Sequence, residues 1–350
     1  MIEPSTESRS GARGRFLDRH PDLFCCPGCG GRLATGEASV LCQACGHRFP
    51  ITAEIPQLFW PNEWDPTKDD VTERMKSFYE ANPFPNYDDF DSAGTLLDKA
   101  RRGLFAKLLD DQIPFGARVI ECGCGTGQLT NFLSIANRTV IGVDLCMSSL
   151  RMALDFKQQN GLERAHFYQM NLFRPSFKPE SFDLVISNGV LHHTSDPFLG
   201  FQSIARLVRP GGFILVGLYH RYGRLATDLR RALFRLSHDR FLFLDRHASD
   251  QNVSREKRRS WFMDQYKNPH ESKHTVGEVV TWLYRTGFEF VNSVPKTMPL
   301  SPIDESERLF KPQRLGSGLE RLAVNLGMIV TGHREGGFFI VIARKPAAKT

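Results

Sequence analysis

A glycine-rich segment followed by an isolated acidic residue is the part of this chain best suited to ligand chemistry. The run ECGCGTG spans residues 121–127 after the apolar pair Val119 and Ile120, and a second apolar run ends in Asp144. A parallel strand that ends in such a turn exposes backbone N–H groups, and missing Cβ atoms let a ligand approach them. A carboxylate at the neighbouring strand tip can accept hydrogen bonds from a ribose diol. The pattern predicts a pocket for a nucleoside-containing cofactor.

The spacing of the glycines separates two classes of cofactor. Dinucleotide-binding turns have the pattern G-x-G-x-x-G, whereas here Gln128 stands where the third glycine would be. Glu121 adds a negative charge beside the turn, which would repel a pyrophosphate and tolerate a cationic ligand. The segment therefore indicates a cationic nucleoside; a glycine-rich turn without a ligand is the alternative.

The pattern E-x-G-x-G-x-G resembles motif I of class I S-adenosylmethionine-dependent methyltransferases (type 11/12-like). The resemblance continues in register through the segments 142–145, 182–188, 191–193 and 207–212, and covers residues 115–217. It implies an α/β fold, a Rossmann-like seven-stranded sheet whose last strand is antiparallel. Strands are expected near residues 118–122, 139–143, 166–170, 182–187, 212–218, 288–294 and 338–344.

The same resemblance assigns contacts with S-adenosylmethionine, the expected co-substrate, to Glu121, Cys122, Gly123, Gly125, Asp144, Leu145, Asn171, Leu172 and Asn188. In it, the Glu121 carboxylate meets the ammonium end of the cofactor and Asp144 accepts from both ribose hydroxyls. Leu145 and Leu172 flank the adenine ring, and Asn171 accepts from its amino group.

His193 is the candidate catalytic residue, on the loop after the fourth strand of this sheet. Methyl transfer needs in-line positioning, and it needs a base only when the acceptor atom carries a proton. A neutral imidazole suits that role at physiological pH. The alternative is structural, with His193 fixing its loop by bonding a backbone carbonyl.

Two C-x2-C pairs near the N-terminus predict a structural zinc site. Cys26 and Cys29 are followed by Cys42 and Cys45, and four thiolates suit a closed tetrahedral Zn²⁺ centre. Two disulfides or one redox pair are the alternatives. The module resembles the small zinc-ribbon activator subunits of tRNA and protein methyltransferases, which implies a stabilising or docking role, with a protein partner one option. We expect its loss to leave the core able to bind cofactor.

These motifs divide the chain into a disordered tail (1–20), a zinc-ribbon module (21–60), a connecting segment (61–114) and a methyltransferase domain (115–350) with insertions at 219–274 and 295–335. The connecting segment carries Tyr79, Phe84 and Tyr87 in a proline-rich stretch that is unlikely to be helical. These aromatic residues either cover the cofactor pocket or pack the ribbon against the core.

The first insertion (219–274) contains as large an excess of basic residues as the whole chain, whose net charge is +6. A solvated helical face is the default interpretation of such a charge run. The functional interpretation is attraction to an anionic acceptor, to phosphate groups or to a membrane surface. Because this insertion follows a strand at the ligand edge of the sheet, we expect it to cap a partly apolar acceptor site, with Arg221 and Arg224 contacting the acceptor.

The leading functional hypothesis is methyl transfer to a small-molecule, natural-product or lipid-like acceptor. An RNA methyltransferase is the alternative, since a guanine-methylating rRNA family also has a four-ligand zinc module, and a non-catalytic cofactor-binding scaffold is the third. The sequence lacks an apolar run of eighteen residues and an N-terminal apolar signal, so neither a membrane span nor secretion is expected. We expect a cytoplasmic enzyme.

Overall fold

The computed structural model of the protein describes residues 15–64, 70–85, 87, 92–250, 253–332 and 336–347. The tail predicted at 1–20 lies outside the described residues up to position 14. The rest of that predicted tail, residues 15–20, contains a short helix, α1 (Phe16–Arg19), in which Phe16 and Leu17 are buried. Residues 15–20 thus belong to the folded protein, and the predicted tail is wrong there, because two large apolar side chains pack into the core.

The ribbon module forms a small antiparallel sheet with strands in sequential order. Its strands are β1 (Leu33–Thr35), β2 (Ser39–Cys42), β3 (Arg48–Thr52) and β4 (Ile55–Pro56). Phe24 and Gln57 reach beyond this sheet and form isolated bridges to Phe177 and Gln169. The module therefore contacts the outer strand of the large sheet through its backbone.

The large sheet has seven strands in the spatial order β10-β11-β9-β8-β5-β6-β7. They are β5 (Arg118–Cys122), β6 (Thr139–Asp144), β7 (Ala165–Gln169), β8 (Phe182–Asn188), β9 (Val208–Tyr219), β10 (Glu289–Val294) and β11 (Phe338–Arg344). The strands from β5 to β9 pair in parallel, whereas β11 is antiparallel to both of its neighbours. The predicted fold class, including the antiparallel last strand, is confirmed.

Helices cover both faces of this sheet, as alternating strands and helices require. Besides α1 they are α2 (Thr72–Ala81), α3 (Ala93–Arg102), α4 (Leu104–Gln112), α5 (Gln128–Ser134), α6 (Met147–Gln159), α7 (Pro197–Ala205), α8 (Leu225–Leu236), α9 (Arg246–Ser249), α10 (Arg255–Phe262), α11 (Val276–Thr286) and α12 (Gly318–Thr331). A π-helical turn, Met263–Lys267, extends α10. Within the described residues, no helix combines the length and apolarity that crossing a membrane requires.

Local sequence signals explain several helix ends. The Asp196 side chain accepts from Leu199 N at the start of α7, where Pro197 occupies the first position. Thr275 and Glu278 form a capping box at the start of α11. Because these signals act within one turn, the sequence predicts them well.

One hydrophobic core joins the ribbon to the large sheet. Phe24, Phe49 and Leu58 from the ribbon belong to the same buried cluster as Met170 and Leu172, which follow β7. The opposite face of the sheet packs on α3 and α4 through a second cluster. The ribbon is thus an integral part of the fold, a point that its short sequence does not reveal.

Candidate functional site

The glycine-rich turn lies where β5 ends, at the edge at which parallel strands place their carboxyl ends. Gly123, Gly125 and Gly127 all have positive φ angles, of 82°, 52° and 75°. A Cβ on Gly125 would lie 2.7 Å from the Phe84 carbonyl oxygen, and one on Gly123 would lie 2.3 Å from Val190 Cγ2. Close approach of two other segments therefore demands glycine at both positions.

A cavity of about 590 Å³ opens beside this turn. Of the nine residues with predicted cofactor contacts, seven line it: Glu121, Gly123, Gly125, Asp144, Leu145, Leu172 and Asn188. Its volume falls within the range of small-molecule sites. The sequence motifs therefore converge on one cavity.

The two remaining predicted contacts, Cys122 and Asn171, are buried but do not line the cavity. Asn171 donates from Nδ2 to Trp60 O (3.0 Å) and to Asn62 Oδ1 (2.7 Å), and its Oδ1 accepts from Phe173 N (3.1 Å). This amide therefore ties the ribbon's exit segment to the loop after β7. Both N–H groups of the Asn171 amide are used in that link, whereas Oδ1 has a second lone pair, so the adenine contact of Asn171 stays a prediction.

Asp144 is held at the tip of β6 by the backbone. Its two carboxylate oxygens accept from Gly125 N (2.8 Å) and Cys146 N (2.9 Å). Burial raises its pKa, while these two N–H groups oppose that shift. The carboxylate oxygens retain free lone pairs, so the group can still accept from a diol in the cavity.

Glu121 is an almost fully buried carboxyl with one described side-chain partner, Thr130, whose hydroxyl donates to Oε2 at 2.5 Å. Burial raises the pKa of Glu121 from its ordinary value of 4.5 to about 8. A cationic ligand would favour the ionised form and reverse this shift. The donor set therefore fits S-adenosylmethionine, whose ammonium and sulfonium are both positive.

The roof segment (residues 79–85) covers the cavity, and its aromatic residues fall into two groups. Tyr79 and Phe84 line the cavity, and the Thr126 hydroxyl donates to Pro85 O. Tyr87 instead stacks on Phe156 with ring centroids 4.3 Å apart. Tyr79 and Phe84 thus cover the cavity, whereas Tyr87 packs on α6 and does not join the ribbon to the core.

Glu80 fixes this roof to the start of α6, and no local sequence pattern indicates this contact. Its carboxylate accepts from Met147 N (2.6 Å) and Ser148 N (2.9 Å) in the first turn of α6. These bonds lower the pKa of Glu80. An acidic group at a helix N-terminus is stabilised by free N–H groups and by the helix dipole.

His193 lines the cavity, and its ring has a defined tautomer. Nδ1 lies 2.8 Å from the carbonyl oxygen of His270, and since a carbonyl only accepts, Nδ1 carries the proton. Among the described residues none hydrogen-bonds Nε2, whose lone pair is free. Burial lowers the pKa of His193, so the ring is neutral at pH 7. His193 thus bonds a carbonyl, as the structural alternative requires, and still presents a basic nitrogen.

Asp264, from the π-helical turn, lies in the same cavity and forms part of a polar network. It accepts from the Tyr79 hydroxyl (2.8 Å) and from Gln265 Nε2 (2.8 Å), which also donates to the Tyr219 hydroxyl. Its charge opposes the lowering of the His193 pKa by burial. The first insertion thus contributes directly to this end of the cavity.

The two arginines expected to contact the acceptor have other partners. Arg224 is fully buried, forms a two-pronged ion pair with Glu271 and donates to Gln265 Oε1 (2.6 Å). Arg221 is exposed and pairs with Glu278 at 2.6 Å. Neither lines the cavity, so the expected contact with an anionic acceptor is wrong for both.

The ribbon brings together the four cysteines that the spacing singled out. The sulfur atoms of Cys26, Cys29, Cys42 and Cys45 all lie within 4.8 Å of one another. The backbone N–H groups of Gly31 and Cys45 point at two of them, at 3.4 and 3.5 Å. Such donors stabilise thiolates, so this donor set fits a tetrahedral Zn²⁺ ion.

Comparison with known proteins gives a family for the central part of the chain. The family model described as "Methyltransferase domain" matches residues 120–216. This segment of the chain is thus similar to a methyltransferase domain. This domain contains the glycine-rich turn, Asp144 and His193.

Individual relatives match over limited lengths. The chain is 27% identical over 251 residues to an uncharacterized protein of Synechococcus sp., covering 64% of this chain and 60% of that protein. It is 33% identical over 107 residues to a ubiquinone biosynthesis O-methyltransferase of Paracidovorax citrulli, covering 30% and 45%. The chain thus spans less than two thirds of either relative.

Among solved structures, the protein is similar to a complex of the Haloferax volcanii Trm112 methyltransferase activator with a putative methyltransferase. The TM-score is 0.46 at 14% identity, over 80% of this chain and all of that one.

Proposed function

We propose that the protein is an S-adenosylmethionine-dependent methyltransferase acting on a hydroxyl group of a small, largely apolar acceptor. The observation that carries the proposal is the shared cavity, whose lining includes Glu121 and Asp144 as well as His193 and Asp264. Bound S-adenosylmethionine supplies an electrophilic methyl group. The similarity to the ubiquinone biosynthesis O-methyltransferase of Paracidovorax citrulli supports the choice of acceptor atom.

In this proposal Nε2 of His193 takes the hydroxyl proton as the acceptor oxygen attacks. The His270 carbonyl orients the ring, and the Asp264 carboxylate stabilises the imidazolium that results. Tyr79 and Gln265 hold Asp264 in place and help to exclude water. Among the described lining residues near His193, Asp264 is the only carboxylate. Arg224 is paired with Glu271 and is not available to an anionic acceptor, so a neutral acceptor is favoured.

The test is incubation of cell extract with methyl-labelled S-adenosylmethionine and the purified protein, followed by separation into RNA, protein and small-molecule fractions. We expect label in the small-molecule fraction, in a base-stable ether. An Asp144→Ala protein serves as the control for enzymes already in the extract. Label confined to RNA would overturn the choice of acceptor and leave the cofactor assignment standing.

RNA methylation is the second candidate, and one observation favours it. Arg235, Arg240, Arg255 and Arg259 are exposed and have no ion-pair partner in the described part of the chain, and free arginines suit phosphate contacts. They lie on the outside of the first insertion, whereas the cavity is covered.

We further propose that Cys26, Cys29, Cys42 and Cys45 hold one structural Zn²⁺ ion. Four thiolates leave no open coordination position, so the ion would stabilise the ribbon and take no part in catalysis. All eight cysteines are free of disulfides, which supports zinc over the disulfide alternative and supports a cytoplasmic location. Elemental analysis of protein purified without chelators tests the ion, and a metal-free folded protein would contradict it.

A further inference from the structure

The first insertion carries an apolar stripe on its outer side, which is the reverse of ordinary helix amphipathicity. On α8 the residues Leu225, Leu229 and Leu236 follow helical spacing and are 47%, 74% and 84% exposed. The opposite face of α8 packs inward through Phe234, which contacts the rings of Phe262 and Tyr266. Helices that cover a core normally bury their leucines, so this stripe is free for another partner.

The apolar surface continues beyond the end of α8. Residues 241–244 have the sequence FLFL and include the 3₁₀ turn Leu242–Leu244. All four side chains are exposed, Phe243 to 68%. A second helix with the same inversion, α12, is followed by Gly332, which packs against Gly223 just before α8. On α12, Leu319, Leu326 and Val330 face solvent, whereas Asn325 faces inward and bonds His220.

Unpaired positive charge accompanies this surface. Arg235 on α8 and Arg240 before the FLFL turn are exposed, and across the described residues neither has an ion-pair partner. Other arginines of the insertion are neutralised, as Arg230 is by Asp245 and Arg231 by Glu271. The arginines that stay unpaired, Arg235 and Arg240, thus accompany exposed leucines. Such a combination of cations and apolar side chains is typical of helices that lie in the surface of an anionic membrane.

We propose that the outer face of the first insertion, comprising α8 and residues 241–244, docks on an anionic phospholipid surface. A second copy of the chain is less suited, because a two-fold contact would bring like arginines together. RNA is less suited too, because phosphates make no use of the leucine stripe. The underside of the same insertion lines the cavity through Trp261, Asp264 and Gln265. Docking would therefore hold the cavity close to apolar molecules dissolved in the bilayer.

The experiment is co-sedimentation of the full-length protein with vesicles, which needs no methyl transfer and is independent of the proposed function. Vesicles of phosphatidylcholine alone are compared with vesicles that also contain phosphatidylglycerol. We expect binding to the anionic vesicles, weakened by added salt because exposed charges are screened. Leu229→Ser with Leu236→Ser, and separately Arg235→Glu with Arg240→Glu, should each lower the partition coefficient about tenfold or more.

Matched controls come from the other parts of the surface. Phe115→Ser removes a side chain that is 77% exposed at the opposite edge of the sheet. Arg151→Glu with Arg164→Glu reverses the same amount of charge on α6 and before β7. Both controls should bind like the wild type. Equal vesicle binding by all variants would overturn the proposal, and so would binding to RNA but not to vesicles. A protein that binds no vesicles but forms a dimer, dissociated by the leucine substitutions, would also overturn it.

Discussion

At the scale of single residues, we expect Glu121 to link cofactor binding to proton release. Its pKa is raised to about 8, so the carboxyl is mostly protonated at pH 7 when no ligand is bound. The raised pKa of an acid means that this group lowers the free energy of unfolding progressively as pH rises from about 4.5 to about 8. A cationic ligand requires the ionised form and so displaces the proton.

We therefore predict that S-adenosylmethionine binds more tightly as pH rises from 6 to 8, with close to one proton released at pH 7. Calorimetry in buffers of different ionisation enthalpy measures this release. Glu121→Gln should abolish the proton release that comes from this residue and should weaken S-adenosylmethionine binding by about 1.5–3 kcal/mol. Equal proton release by the variant and the wild type would assign the proton to another group.

His193 and Asp264 give the second prediction at this scale. His193→Ala should lower kcat by about 10²-fold or more with little change in cofactor affinity, since a base acts in the transition state. Because burial lowers the His193 pKa, the acid limb of the wild-type profile should lie below pH 6.5. Asp264→Asn should move that limb to still lower pH, because it removes the charge that raises this pKa. Full activity of His193→Ala at every pH would make His193 purely structural.

At the scale of elements, Glu80 clamps the roof segment to α6. Glu80→Gln keeps the shape of the side chain but removes its charge at the helix N-terminus, at a cost of about 1 kcal/mol. We predict faster release of S-adenosylmethionine and faster amide hydrogen exchange in the roof. Glu73→Gln, on the same helix but exposed, is the matched control. Unchanged release from Glu80→Gln would show that the roof is held by Phe84 and Pro85 alone.

The ribbon gives the second prediction for an element, and it departs from the expectation based on sequence. Because Phe49 and Leu58 share a core with Leu172, which lines the cavity, loss of the ribbon fold should disturb that side of the cavity. Cys42→Ser should therefore weaken cofactor binding about tenfold and lower the melting temperature. Cys25→Ser, outside the four-sulfur cluster, is the control. If the Cys42→Ser protein kept full cofactor affinity, the original expectation would hold, namely that the core binds cofactor independently of the ribbon.

The whole molecule shows which features a sequence can reveal. The glycine-rich turn, Asp144 and the seven strands follow from patterns a few residues long, and the structure places them as expected. The contact of Tyr79 with Asp264 joins residues 185 positions apart, and nothing in either local sequence indicates it. The same holds for Asn171, whose amide N–H groups donate to Trp60 and Asn62, residues 111 and 109 positions away.

At the scale of the whole molecule, the location of the positive charge in the first insertion was the property least well predicted from the sequence. The basic excess of the first insertion suggested an anionic acceptor, because composition counts arginines without their partners. Folding pairs Arg224 and Arg231 with Glu271 and leaves Arg235 and Arg240 outside. The positive charge thus lies on the surface of the insertion and away from the cavity.

The most direct test of the central claim is calorimetric titration of the full-length protein with S-adenosylmethionine, with its demethylated product and with NAD. We predict that the first two bind at one site per chain and that NAD does not. Asp144→Ala, which removes the carboxylate held by Gly125 and Cys146, should weaken that binding by about 1.5–3 kcal/mol. A folded wild-type protein that binds neither S-adenosylmethionine nor its product, or that binds NAD in their place, would contradict the account.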